Sequence, residues 1–133
     1  MRSKRGTRTL KAADFQLGML TTARRPDELL VAARFSTKPT RTAFREIARR
    51  HGDFAIVAVA AASVGGGRVR VGIGGADSRP FVREIEVHRD RLSESVENLV
   101  WQLDPYEDMH ASPRLRRDLV RNIAPDVIAE AMT

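Results

Sequence analysis

Residues 51–80 read HGDFAIVAVAAASVGGGRVRVGIGGADSRP, two strand-like runs and two glycine-rich turns in thirty residues. The first run, residues 54–64, is apolar at odd and even positions alike, the pattern of a strand covered on both faces. It is the expected central strand. Ala55, Ala58, Ala60, Ala61 and Ala62 keep its side-chain volume low, so that helices or another chain can approach the backbone. Residues 68–73 alternate instead: Val69, Val71 and Ile73 face one way, and Arg68, Arg70 and Gly72 the other. The second face is therefore wet or meets a partner. Gly65-Gly66-Gly67 supply the positive φ of a tight reversal, which predicts an antiparallel hairpin.

Working outward, residues 1–9 form a basic, polar arm, and residues 12–17 can make one helical turn. The Arg25-Pro26-Asp27 turn leads into ELLVAARF, residues 28–35, read as a strand. Lys38-Pro39 ends that element. Thr40 or Thr42 then caps a predicted helix with Ala43, Phe44, Ile47 and Ala48 on one stripe. Arg49, Arg50 and His51 would complement its dipole, and Gly52 would stop it in the left-handed conformation. On the other side, residues 74–80 form a glycine-rich loop, and residues 81–87 are open between a strand and the lead into a helix. Ser93 caps a predicted helix through Leu103, with Val96, Leu99, Val100 and Leu103 on one face. Ser112-Pro113 opens another, with Leu115, Leu119 and Ile123 four apart, and Pro125 breaks or kinks it. Strands first and helices after predict an α+β domain: a small antiparallel sheet of about three strands carrying a helical bundle on one face.

Composition bounds the function. The chain has 133 residues, enough for one domain with a real core. Its 23 Lys and Arg against 17 Asp and Glu, formally +6, favour nucleic acid, anionic cofactors or acidic partner surfaces. Zero cysteines exclude disulfides, thiolate catalysis and any cysteine-bound zinc or iron–sulfur centre in this chain. No apolar run reaches the roughly 18–20 residues that cross a bilayer, and MRSKRGTR lacks a secretory apolar region, so a cytoplasmic protein is expected. His51, His88 and His110 lie too far apart in sequence to suggest a metal site. Neither a G-x-S-x-G elbow nor a Walker loop occurs. Gly72-Ile73-Gly74-Gly75 has the glycines of a phosphate-approaching turn without the G-x-G-x-x-G spacing. The sparse aromatics supply no stacking platform for nucleic acid.

Three motifs in order carry a resemblance. TAFREIARRHGDFAIVAVAAAS contains Arg49, Arg50, Gly52, Asp53, Phe54 and Ala55; GGRVRVGIGGADSRPFVREIEV contains Gly74, Gly75, Pro80 and Arg83; DMHASPRLRRDLVRNI contains Asp108, His110, Ala111, Ser112, Arg116 and Arg117. Together they resemble the C-terminal domain of the FAD-binding, or medium, subunit of molybdenum hydroxylases, the carbon monoxide dehydrogenase and xanthine dehydrogenase family. The upstream RGTRTLKAADFQLGMLTTARRPDELLVAARF resembles the stretch that joins the FAD domain to it, which implies residues 1–26 as that linker and 27–133 as the domain.

The resemblance implies a fold like the C-terminal domain of the carbon monoxide dehydrogenase flavoprotein. It also implies a component of an oxidoreductase that is not catalytic by itself. Its role would be to help cover the flavin and to contact the other subunits while electrons pass from iron–sulfur clusters to FAD. FAD belongs to the complete subunit; the glycine-rich loops that hold its pyrophosphate are absent here, so this chain alone is expected to hold none. The implied partners are the FAD-binding half, a molybdenum-binding large subunit and an iron–sulfur small subunit, with self-association open. Arg45, Arg49, Arg50 and Asp53 are the implied cofactor-binding residues, against dipole complement and turn capping. Gly74, Gly75, Asp77 and Arg79 are the implied subunit-contact loop, against a plain strand end. The rival expectation is a free-standing basic module, binding protein or nucleic acid, that kept the fold without flavin.

Overall fold

Short strands and one carboxylate organise the beginning of the chain. In the computed structural model, which describes residues 1–38 and 40–133, with Arg89 by its backbone alone, the chain divides into the units Met1–Pro39 and Thr40–Thr133. In the first unit, β1 (Arg2–Ser3) pairs with β2 (Gly6–Thr7), and β3 (Gln16–Gly18) with β4 (Thr21–Thr22), both antiparallel. A single 3-10 turn at Ala12–Asp14 stands where the helical turn was expected. Glu28 closes the unit: Arg8 donates to both of its oxygens, at 2.6 and 2.7 Å, and the Arg25 N–H donates to Oε2 at 2.8 Å. Those hydrogen bonds, Arg8 foremost, hold the Glu28 carboxyl down at about 2.

The predicted strand at 28–35 does not form. Only Leu29 pairs, as an isolated bridge to Arg2. Glu28 is turned toward Arg8, and Leu29, Leu30, Val31 and Phe35 are exposed, so the β-prone run has no further ladder partner among the described residues. The break expected at Lys38-Pro39 falls on Pro39, which lies outside the described residues.

The second unit is built on the glycine hairpin. Gly65, Gly66 and Gly67 all have positive φ, and β6 (Ala55–Gly65) returns through them as β7 (Arg68–Gly74). They form the interior of a four-stranded antiparallel sheet with β5 (Thr42–Ala48) and β8 (Phe81–Glu86), in the order β5-β6-β7-β8. The predicted helix at 40–51 is therefore a strand. Ala43, Phe44, Ile47 and Ala48 share a helical stripe on paper, but Ala43, Arg45 and Ile47 alternate just as well with Thr42, Phe44 and Glu46. The unpaired edge of a long apolar strand decides between the two periods. Gly52 has positive φ as expected, in the β5–β6 turn instead of at a helix end. The sheet gains one strand over the three expected, within the α+β class that was read.

One face of the sheet carries the core. Val57, Val59, Ala61, Val69, Val71 and Ile73 are buried beneath α1 (Leu92–Trp101) and α2 (Pro113–Met132). Val96, Leu99 and Val100 line α1 on the face predicted, although its first turn has no side-chain cap and Ser93 lies inside it. Ser112 caps α2 as expected, its Oγ accepting from the Leu115 N–H at 3.2 Å. Pro125 does not break α2, which runs through Met132 with Val120, Ile123, Ala124, Val127, Ile128 and Ala131 buried. Packing on both sides of the proline outweighs the one backbone hydrogen bond it removes. The expectation that β6 is covered on both faces fails: Ala60 is exposed and Ala58 and Ala62 are half-buried.

Two outcomes follow. The Glu28 carboxyl is depressed in the fold, so its contribution is complete above the ordinary carboxylate range and is lost as pH falls toward about 2. The protection factor of the Arg25 amide, its exchange relative to an unstructured amide at the same pH, should fall over that window, and Glu28→Gln should remove that pH dependence of protection. Gly75 has φ +77°, and a Cβ there would sit 2.3 Å from the Ile56 carbonyl oxygen. Gly75→Ala should cost about 3 kcal/mol or more in urea denaturation, at the upper end of overpacking penalties.

Candidate functional site

The three sequence motifs meet around one buried side chain. Arg116 lies on the first turns of α2, four residues before Val120 and so on the helix's apolar face, and is 2% exposed. Its Nη1 donates to the carbonyls of Ile56 and Gly75, each at 2.7 Å, and its Nε to the Tyr106 carbonyl at 3.2 Å. Its Nη2 pairs with Asp108 Oδ2 at 2.7 Å, and the guanidinium lies 4.4 Å from the centre of the Tyr106 ring. One cation thus ties the start of β6, the loop after β7 and the 104–111 loop to α2.

Asp108 is satisfied from two sides. Its Oδ1 accepts from the N–H groups of His110 and Ala111, both at 2.9 Å. The His110 N–H first, then that of Ala111 and the Arg116 guanidinium, hold its carboxyl below the usual range against the opposing effect of burial. Arg49 Nη1 lies 3.1 Å from His110 Nδ1, which links the β5–β6 turn to the same loop. Gly75 serves this junction, since only a residue without a side chain lets the backbone pass so close to Ile56, whereas a Cβ on Gly74 would meet only Ala58 at 3.9 Å.

The implied cofactor residues do not form one cluster. Arg45 faces α2, 2.9 Å from Asp126 Oδ2 and 3.6 Å from Glu130 Oε2. Arg49 meets His110. Arg50 is exposed, and its carbonyl accepts from the Asp53 N–H; Asp53 Oδ1 accepts from the Phe54 N–H at 2.8 Å. No helix dipole is present at these arginines, because the element is a strand and a turn. In the 74–80 loop, Asp77 Oδ1 accepts from the Ser78 N–H and Arg79 is exposed. Arg83 reaches Gln102 at 3.2 Å. Several of the arginines are committed to ion pairs: Arg8, Arg45, Arg68, Arg70, Arg116 and Arg121 each face carboxylates.

The face of the sheet away from α2 has a different character. The register places Phe44, Ala60, Gly72 and Val82 in one row across β5 to β8. Phe44 is 61% and Val82 47% exposed, and between them lies a shallow trough of about 590 Å³ floored by alanine and glycine. Flanking rows are polar at their ends: Thr42, Ala62, Arg70 and Glu84 on one side, Glu46, Ala58 and Gly74 on the other. Sequence reading flagged the alternation of β7 but missed Phe44, which had been given to a helix. Arg116 stood among the motif positions without a role, although the spacing to Val120 marks it as facing the core. Among the described residues no group of three His, Asp or Glu is placed to hold a metal, and no helix is long and apolar enough to cross a membrane.

No family model matches the chain. It is 29% identical over 143 residues to the nicotine 6-hydroxylase medium subunit of Paenarthrobacter nicotinovorans, covering 98% of this chain and 50% of that one. The solved quinoline 2-oxidoreductase of Pseudomonas putida 86 is 30% identical, with a TM-score of 0.84 over 97% of this chain and 50% of its own. The carbon monoxide dehydrogenase of Oligotropha carboxidovorans, at 22% identity and a TM-score of 0.83, shares the fold. The chain resembles the medium subunits of molybdenum hydroxylases along nearly its whole length, a match consistent with the C-terminal domain of such a subunit. It spans about half the length of the relatives it matches.

Removing Arg116 leaves the carbonyls of Ile56, Gly75 and Tyr106 without its hydrogen bonds and Asp108 without its cation. Arg116→Met should lower stability by about 3–5 kcal/mol in urea denaturation followed through Trp101 fluorescence, and Arg116→Lys, which lacks the fork, should recover only part of it.

Proposed function

We propose that this chain is the covering half of a flavin-carrying medium subunit in a molybdenum-hydroxylase-type oxidoreductase. In this reading it completes an FAD-binding half, helps to shield the flavin, and contacts the large and small subunits while electrons pass from iron–sulfur clusters to FAD. The reading is carried by the state of Met1–Pro39. Among its described residues Met1 is the one buried apolar side chain, while Leu17, Met19, Leu20, Leu29, Leu30 and Phe35 are all exposed. A segment with that balance buries too little apolar surface to be held by its own packing. It behaves as part of a larger domain, and the relatives' further length supplies one. Residues 1–26 are then the tail of the FAD-binding domain, and 27–133 the domain that follows it.

The residues present fit a covering role better than a binding one. Arg45 is engaged with Asp126 and Glu130, and Asp53 with its own turn, so neither is free to grip a pyrophosphate. The cofactor, when bound, supplies the two-electron and one-electron chemistry; this chain excludes water from it and holds the halves together. The apolar trough on the sheet is the surface suited to that exclusion.

Flavin titration tests the assignment. FAD fluorescence should be unchanged by the chain alone. It should be altered, with a stoichiometric end point, when the chain is added to the FAD-loaded unmatched half of the nicotine 6-hydroxylase medium subunit. Absence of any association between the two would overturn the reading, and salt-dependent binding of the chain to nucleic acid would replace it.

A further inference from the structure

The open face of the four-stranded sheet contains a glycine that the fold does not require. Gly72 lies in the interior of β7, outside the left-handed region, and a Cβ built on it would meet nothing within 4 Å. The contrast with Gly75 is direct, since there the Ile56 carbonyl forbids a side chain. Backbone geometry and packing therefore explain Gly75 and leave Gly72 unexplained. Glycine inside a strand weakens it and marks places where another backbone or a ligand comes close.

The neighbours of Gly72 give that approach a shape. Ala60 beside it keeps the floor low, and Phe44 and Val82 rise at the two ends of the row. The rows on either side end in Thr42, Arg70, Glu84 and Glu46, so an apolar centre is ringed by polar groups. That is the anatomy of a protein interface: a desolvated middle with a polar rim. Arg70 and Glu84 pair with each other at 3.2 Å, so at that end of the rim the charges are already matched.

We infer that this face is the docking surface for the complementary half of the subunit, with Gly72 and Ala60 as the point of closest approach and Phe44 and Val82 as its apolar anchors. The occupant is set by length: the relatives carry about as many residues again as this chain matches, and α1 and α2 already occupy the sheet's other face. The inference rests on the covering-half reading and adds to it the surface and the residue that sets the fit.

The test compares Gly72→Val with wild type. Valine suits a strand and a Cβ at this position meets nothing within 4 Å, so thermal stability should be kept or raised. Affinity for the FAD-loaded unmatched half of the nicotine 6-hydroxylase medium subunit should fall at least tenfold. Val82→Lys, which leaves the floor intact, should weaken binding similarly, and Arg114→Val on the exposed side of α2 should leave it unchanged. If wild type binds and Gly72→Val binds within twofold of it, the surface is elsewhere and the inference is overturned, with the covering-half reading intact. If wild type does not bind at all, that reading fails first. If the chain alone sediments as a dimer that Gly72→Val dissociates, the face joins two copies and the inference is also overturned.

Discussion

One buried guanidinium fixes the architecture of the second unit. Arg116 makes hydrogen bonds to three carbonyls and an ion pair to Asp108, and those partners come from β6, the loop after β7 and the loop before α2. A cation this buried is tolerable only when its donors are satisfied, since an uncompensated charge costs several kcal/mol. The requirement runs in both directions. The loops take their paths because the guanidinium needs their carbonyls, and the guanidinium can be buried because Gly75 lets the backbone within reach. The three motifs that lie far apart in sequence thus meet at one structural junction, which gives Gly75, Asp108 and Arg116 a structural role.

The sheet above that junction is sided in an unusual way. Its core face carries β-branched residues, Val57, Val59, Val69, Val71 and Ile73, packed against two helices. Its open face carries alanine and glycine along the interior strands, with Phe44 and Val82 at the edges. A solvated face that served only this chain's stability would be expected to carry threonine, valine or charged side chains, because Gly in a strand interior costs about 0.5–1 kcal/mol relative to Ala. The low floor is explained by close approach from outside. The exposed leucines and Phe35 of Met1–Pro39 point the same way independently, since they too are apolar surface without cover.

Legibility in the sequence followed how local each determinant was. The glycine hairpin, the Ser112-Pro113 helix start and the buried face of α1 are set by adjacent residues, and each stands where it was read. The strand β5 was read as a helix because Ala43, Phe44, Ile47 and Ala48 satisfy both periods, and only the partner strand, which lies beyond the turn, chooses between them. The run at 28–35 failed for the converse reason: strong strand propensity without a partner to pair with among the described residues. Pro125 was overestimated as a breaker because burial on both sides of it could not be weighed from the chain alone. For the site, the motif positions were found but their role was not. Arginines read as a helix terminus proved to be a strand edge and a turn, and the arginine that matters most was hidden among several in RLRRDLVR.

The relation between the junction and the open face decides what kind of protein this is. Polar groups that conduct chemistry are left partly unsatisfied so that substrate or cofactor can complete them. At the junction the groups satisfy one another, Arg116 with Asp108 and with the Gly75 carbonyl, and Arg45 is paired with carboxylates of α2, while the Nε of Arg117, also a motif residue, is buried without a hydrogen-bond partner. Apolar groups are left uncovered as well, Phe44 and Val82 on the sheet and the exposed leucines near the beginning of the chain. Incomplete apolar surface calls for burial, and burial is non-directional, so that surface suits docking and the exclusion of water. A scaffold held at one junction by Arg116 and Asp108, with bare apolar surface on its sheet, is what the proposed covering role asks for.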